Sequence, residues 1–206
     1  TTYDSSGRVN FQSYPVPDLI PGKSGTRTFY DALDRETRVE QDSEHNVLAT
    51  NTEYLPGLQV RVTNPNNQQT VTGFMAWDQP GYDLPLWSSQ PEGKVIEIAR
   101  HPQFGWPLQL KQRSADNSLQ QVRSYVYDGH AQLCKTIEPE TGATVTGYDA
   151  ANNPEWSASG LTGGGYASTT DCSYTAASTS GRVVTRTYDA RNRLTTLLFP
   201  DGIGNQ

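Results

Sequence analysis

Apolar and polar residues alternate with period two along much of the chain. Val122, Ser124 and Val126 stand against Arg123, Tyr125 and Tyr127, and Leu133, Lys135 and Ile137 stand against Cys134, Thr136 and Glu138. The same alternation recurs at Leu58, Val60 and Val62, at Ile96 and Ile98, and at Val184, Arg186 and Tyr188. Period two is the signature of β-strands. No window carries a convincing apolar stripe at helical spacing; the nearest, residues 43–49, is short. Between the alternating segments an Asp is repeatedly followed three residues later by Gly or Asn. Asp at the first position of a type I turn accepts backbone hydrogen bonds, and Gly or Asn tolerates the left-handed backbone such a hairpin demands. Hairpin tips are therefore predicted at residues 4–7, 31–34, 78–81, 102–105, 128–131, 149–152 and 189–192.

These tips belong to a repeat. Tyr is followed by Asp six times, at Tyr3, Tyr30, Tyr82, Tyr127, Tyr148 and Tyr188, where chance gives about 0.7 such pairs. Four residues after the aromatic come Gly7, Asp34, Asn152 and Asn192 in four copies, with Ala131 and Leu86 in the other two. Trp77-Asp78 fits the register better than Tyr82-Asp83, because it places Gly81 at the turn. A degenerate copy follows at residues 101–105, where His101 takes the place of the Tyr. Pro15, Pro139 and Pro200 stand twelve residues after Tyr3, Tyr127 and Tyr188, and the last two open further turns. The repeat-defining residues are thus Tyr3, Asp4 and Gly7; Tyr30 and Asp31; Trp77, Asp78 and Gly81; Tyr127 and Asp128; Tyr148, Asp149 and Asn152; and Tyr188, Asp189 and Asn192. Aromatic starts at 3, 30, 77, 101, 127, 148 and 188 are mostly one hairpin apart. The long gap before 77 contains the polar stretch 63–70 and is expected to hide one badly degenerated unit. The gap before 188 holds a Gly/Ser/Thr-rich inserted surface loop near 160–181. No composition shift marks a boundary, so residues 1–206 are expected to form a single array of about seven hairpins, whose units bury their apolar faces only by sharing a sheet.

Composition narrows the chemistry. With 18 Gly and 13 Pro in 206 residues and only 18% charged residues, against a typical figure of about 25%, helical and coiled-coil readings are disfavoured. The 11 Tyr and 4 Trp argue against disorder. A net charge of −6, with Arg spread along the chain, argues against a nucleic-acid partner, and no apolar run reaches the length of a membrane span. His45, His101 and His130 lack metal-ligand partners at short spacing, no nucleophile motif is present, and residues 160–165 are followed by neither Lys-Ser/Thr nor a helix, so no phosphate loop is read there. No enzyme, cofactor or metal site is expected. The C-terminal Asp201-Gly202 turn reads as cut before its next strand, so the chain is expected to be a piece of a longer protein.

Aromatic-Asp, then Gly or Asn, then Arg and an apolar residue, closed by Pro-Asp-Gly, resembles the YD repeat of bacterial Rhs proteins and animal teneurins. The best copy is Thr187-Tyr188-Asp189-Ala190-Arg191-Asn192-Arg193-Leu194, ending at Pro200-Asp201-Gly202. Tyr3-Asp4-Ser5-Ser6-Gly7-Arg8-Val9 is nearly as good, and the units span essentially the whole chain. The resemblance implies an all-β fold of tandem antiparallel β-hairpins forming a curved, spiralling sheet, an open segment of a hollow shell. In Rhs toxins such a shell encloses a C-terminal toxic domain; in teneurins it supports an extracellular adhesion apparatus. The Asp-Pro-x-Gly-Leu autocleavage region of the Rhs core is absent from this sequence, so neither self-cleavage nor a toxin is assigned to it.

Two functional classes follow. The first is a non-catalytic structural shell segment of an exported, secreted or cell-surface protein, with neighbouring repeats and an enclosed C-terminal toxin domain as partners. The second is a surface module that binds carbohydrate or a receptor through Trp87, Trp106 and the 160–181 loop. They differ in whether the large aromatics pack or stand exposed in a groove. Cys134 and Cys172, the only cysteines, are a disulfide candidate that an exported shell permits. The first strand near 1–3 and the last near 195–199 are ladder edges and candidates for edge-to-edge self-association.

Overall fold

In a computed structural model the described residues are 1–15, 24–76, 81–163, 165–169, 171–172, 177–178, 180–201 and 204–205. Among these the chain forms seventeen strands: β1 (Thr2–Tyr3), β2 (Val9–Ser13), β3 (Gly25–Tyr30), β4 (Glu36–Asp42), β5 (Val47–Leu55), β6 (Gln59–Thr63), β7 (Gln69–Phe74), β8 (Pro85–Ser89), β9 (Lys94–Arg100), β10 (Pro107–Ser114), β11 (Gln120–Tyr127), β12 (Leu133–Glu138), β13 (Gly142–Tyr148), β14 (Pro154–Leu161), β15 (Val183–Tyr188), β16 (Leu194–Leu198) and β17 (Gly204–Asn205). The chain divides into two compact units, residues 1–96 and 97–206. Strands pair antiparallel with their chain neighbours, β1 through β8 in the first unit and β10 through β17 in the second. The fold is all-β and built of tandem antiparallel hairpins in open sheets.

The Asp turns share one construction. At residues 4–7, 31–34, 128–131, 149–152 and 189–192 the fourth residue donates its N–H to the carbonyl of the Asp, and the Asp N–H bonds the carbonyl of the residue after the turn. Gly7, Asp34, Ala131, Asn152 and Asn192 all have positive φ, between 58° and 80°. A β-bulge follows each of these turns: Tyr3, Tyr30, Tyr127, Tyr148 and Tyr188 pair with the first residue of the outgoing strand, and the next residue is skipped. Bulges sharpen the local right-handed twist. The hairpins at the opposite ends of these strands, β4–β5, β6–β7, β10–β11 and β12–β13, keep a regular register.

This register bears on three expectations. The hidden unit of the long gap starts at Tyr54, whose turn runs through Gly57 and Leu58, both at positive φ. The polar stretch 63–70 does form a tip, with Asn64 in the Asp role, but it connects β6 to β7 and so lies at the opposite end of the strands. The spacing missed Tyr54 because Leu55 stands where Asp is expected. Second, the ladder position of the unit aromatic before the next loop is held by Phe74, opposite Pro85; Trp77 and Asp78 lie outside the described residues, and Gly81 sits in the loop that Met75 and Leu84 close. Third, the tip predicted at 102–105 opens one residue earlier. His101 takes the Asp role, its Nδ1 accepting from the N–H groups of Gln103 and Phe104, because an imidazole nitrogen can cap a turn as a carboxylate does.

Burial is uneven. In residues 1–96 only Gly25 and Gly73 are buried among the described residues, and β6 is half-buried at every position. In residues 97–206 a core forms from Ala143, Val145, Ala158, Leu161 and Ala177, flanked by Ile137, Trp156, Tyr166, Cys172 and Val183. The described part of the 160–181 stretch is thus packed on the face of β12–β15, where a surface loop is expected from composition. Alternation fails at Cys134 and Lys135, which are both buried, because Cys134 is the bulge residue of β12. Cys134 is joined to Cys172 by a disulfide with Cα atoms 5.7 Å apart, and Lys135 Nζ donates to the carbonyl of Ser168 at 2.8 Å.

Candidate functional site: the turn ladder and an aromatic cleft

The repeat residues form a hydrogen-bonded ladder. Each turn Asp uses Oδ1 to accept from two backbone N–H groups, as Asp31 does from Leu33 and Arg35 at 2.8 and 3.0 Å. Its Oδ2 takes a side chain four residues on: Arg8 on Asp4, Arg35 on Asp31, Asn153 on Asp149 and Arg193 on Asp189. These donors hold all four carboxyls below the usual carboxylate range, the side-chain hydrogen bond being the largest cause in each. Neighbouring turns are then tied together, Arg8 to Asp34, Gln132 to Asn152 and Asn153 to Asn192. The left-handed residue of a turn therefore also serves as acceptor for the preceding turn, which favours Asn or Asp over Gly there.

The unit tyrosines link one hairpin to the next. Their hydroxyls donate to the carbonyl of the first residue of the preceding outgoing strand: Tyr30 to Val9, Tyr54 to Glu36, Tyr127 to Pro107, Tyr148 to Leu133 and Tyr188 to Pro154, at 2.8–3.2 Å. Arg8 and Arg35 in turn lie over the rings of Tyr30 and Tyr54, at 4.7 and 4.0 Å from the centroids. A carboxylate, a guanidinium and the next unit's aromatic ring thus recur as a sandwich.

Trp87, Trp106 and Trp156 divide between two roles. Trp87 lies across Gly73 and Trp156 across Gly147, each opposite its glycine in the ladder, so that a Cβ on either glycine would strike the indole. Trp106 stacks between Phe104 and Tyr127, with centroids at 4.4 and 4.9 Å, and His101 lies 4.8 Å from Phe104. These rings line a cleft of about 360 Å³ together with Asp128 and Thr169. Burial raises the Tyr127 hydroxyl above its ordinary pKa. Among the described residues no group of three His, Cys, Asp or Glu is placed to hold a metal ion, and no helix is long and apolar enough to cross a membrane.

No protein-family model matches the chain, and no curated protein matches it. Among solved structures the chain is similar to a chain of the Photorhabdus luminescens Tc holotoxin pore carrying a substituted TccC3, with a TM-score of 0.58 and 14% identity over 85% of this chain and 9% of that one. It also matches crystal structures described as TcdB2-TccC3-TEV, at TM-score 0.46 and 12% identity over 88% of this chain and 11% of the other, and TcdB2-TccC3-Cdc42, at 0.43 and 12% over 87% and 11%. The chain spans about a tenth of the length of the chains it matches. At such identity the likeness is one of fold: these residues have the antiparallel β-architecture of a stretch of the Tc holotoxin.

Proposed function

We propose that this chain is a stretch of β-shell from an exported Rhs/YD-repeat protein, without catalysis of its own, whose wall encloses or presents a C-terminal toxin domain. The observation that carries the reading is the recurring Tyr-Asp hairpin, tied to its predecessor by the Tyr hydroxyl, in a fold shared with the Tc holotoxin. The Tyr hydroxyl links and the turn-to-turn bonds join neighbouring repeats, which is what a wall requires and what a catalytic centre does not. The test is limited proteolysis of the full parent polypeptide. The segment C-terminal to the repeats is expected to resist trypsin until the shell unfolds. Digestion of that segment at the rate of the same segment expressed alone would overturn the reading.

A second reading rests on Trp106. Its stack beside an open cleft, with Phe104 53% exposed, favours a carbohydrate- or receptor-binding surface. Specific glycan-array binding that Trp106→Ala abolishes and Trp87→Ala spares would make this the primary function.

A further inference from the structure

Of the five Asp turns, four have a side chain on the Asp Oδ2 and one does not. Asp4 and Asp31 each hold a guanidinium that also lies over an aromatic ring, Asp189 holds that of Arg193, and Asp149 holds the amide of Asn153. At the Asp128 turn the corresponding residue is Gln132, and its amide turns away to Asn152 at 2.8 Å. Oδ1 of Asp128 accepts the N–H groups of His130 and Gln132. Its Oδ2 has no hydrogen-bond or ion-pair partner among the described residues. Asp128 is also the turn carboxylate that lines the cleft of Phe104, Trp106 and Tyr127. The cations near this wall are committed elsewhere: Arg100 donates to the carbonyl of Gly105 at 2.8 Å, and Lys135 to the carbonyl of Ser168.

We propose that this cleft binds a guanidinium group, the arginine side chain of a partner polypeptide, which pairs with Asp128 as Arg8 and Arg35 pair with Asp4 and Asp31, and which lies against the cleft's own rings where those two arginines lie over the next unit's Tyr. A guanidinium fits better than an ammonium, because its planar fork meets a carboxylate and its face lies flat on aromatic rings. The inference is independent of the shell reading, since it concerns one surface cleft whatever the array encloses.

Titration of the folded chain with Nα-acetyl-arginine amide, followed by amide and indole NMR shifts, tests it. Saturable shifts are expected at the Trp106 indole and at the amides of residues 128–132, weakening with added salt. The neutral isostere Nα-acetyl-citrulline amide is expected to bind about tenfold more weakly or worse, the loss of one charge-assisted contact. Asp128→Asn keeps a side-chain oxygen to cap the turn and is expected to lose about tenfold in affinity. Gln132→Arg supplies the missing cation internally and is expected to block binding while the other amide shifts stay unchanged. The proposal is overturned if no saturable shift occurs, if the citrulline amide binds equally, or if either folded variant keeps full affinity.

Discussion

The face of β12–β15 and the sheet of residues 24–76 reach order by different routes. The former has a layer over it: Ala177, Tyr166 and Cys172 close on Ala143, Val145, Ala158 and Leu161, and a disulfide fixes the cover to β12. The latter buries no apolar side chain among the described residues. It relies on ion-paired turns, on hydroxyl links between hairpins, and on a Trp laid over a Gly. A β-sheet can thus be ordered either by burial on one face or by repeated edge-to-edge contacts that each protect little area. Burial gives more free energy per residue, whereas the ladder gives a wall that can be extended by adding repeats.

Reducing the disulfide is the strongest way to break this contrast. Its 38-residue separation corresponds to about 4 kcal/mol in the chain-entropy description. Amide exchange with and without a dithiol is expected to show lost protection in β12–β15 and unchanged protection in β3–β7; equal loss in both would refute the division of labour. Leu161→Ala, which opens a cavity under the cover, is expected to cost about 3 kcal/mol in urea unfolding. Gly73→Ala is expected to cost about 2 kcal/mol by driving Trp87 off its neighbour, with indole fluorescence reporting the displaced ring. Tyr148→Phe removes one hydroxyl link at 2.8 Å and is expected to cost about 1 kcal/mol.

Ala131→Gly sharpens the comparison from the other side. Ala131 sits at φ 69° where the other Asp turns place Gly, Asn or Asp. Glycine relieves that strain at some cost in unfolded-state entropy, so a net gain of about 0.5 kcal/mol is expected in thermal unfolding. Acid has the gentlest effect, since exposed ion pairs contribute little. The carboxyls of Asp4 and Asp31 titrate lower folded than unfolded because of Arg8 and Arg35. Their contribution is therefore present above the unfolded value of about 3.9 and disappears as pH falls through the lowered one. Protection factors at Ser6, Arg8, Leu33 and Arg35, whose N–H groups bond these carboxylates, are expected to drop as pH falls below about 3.9.

Much of the ladder was legible from local chemistry. Tyr-Asp with Gly or Asn three residues on marks a turn whose capping and left-handed residue are both local, and period-two alternation marks the strands on either side. Where a turn used other atoms, as at Leu55, Met75 and His101, the same reasoning missed or shifted the unit, because a ladder position is held by cross-strand bonds even after its signature residue is gone. The cleft was half legible: Trp106 stood out as an aromatic, whereas the free oxygen of Asp128 depends on which way Gln132 turns.

By itself, then, the sequence determined the all-β class and the Asp turns at 4–7, 31–34, 128–131, 149–152 and 189–192 with their left-handed residues, since each depends on contacts within about five residues. Tertiary structure decided the rest. That Trp87 and Trp156 cover glycines and that Cys134 shares a buried side with Lys135 are consequences of register and of the bulge at Cys134, and residues of the 160–181 stretch seal the core through contacts distant in sequence. Register is set between strands: one skipped residue moves a side chain to the other face, and the one-dimensional pattern carries no record of which residue is skipped.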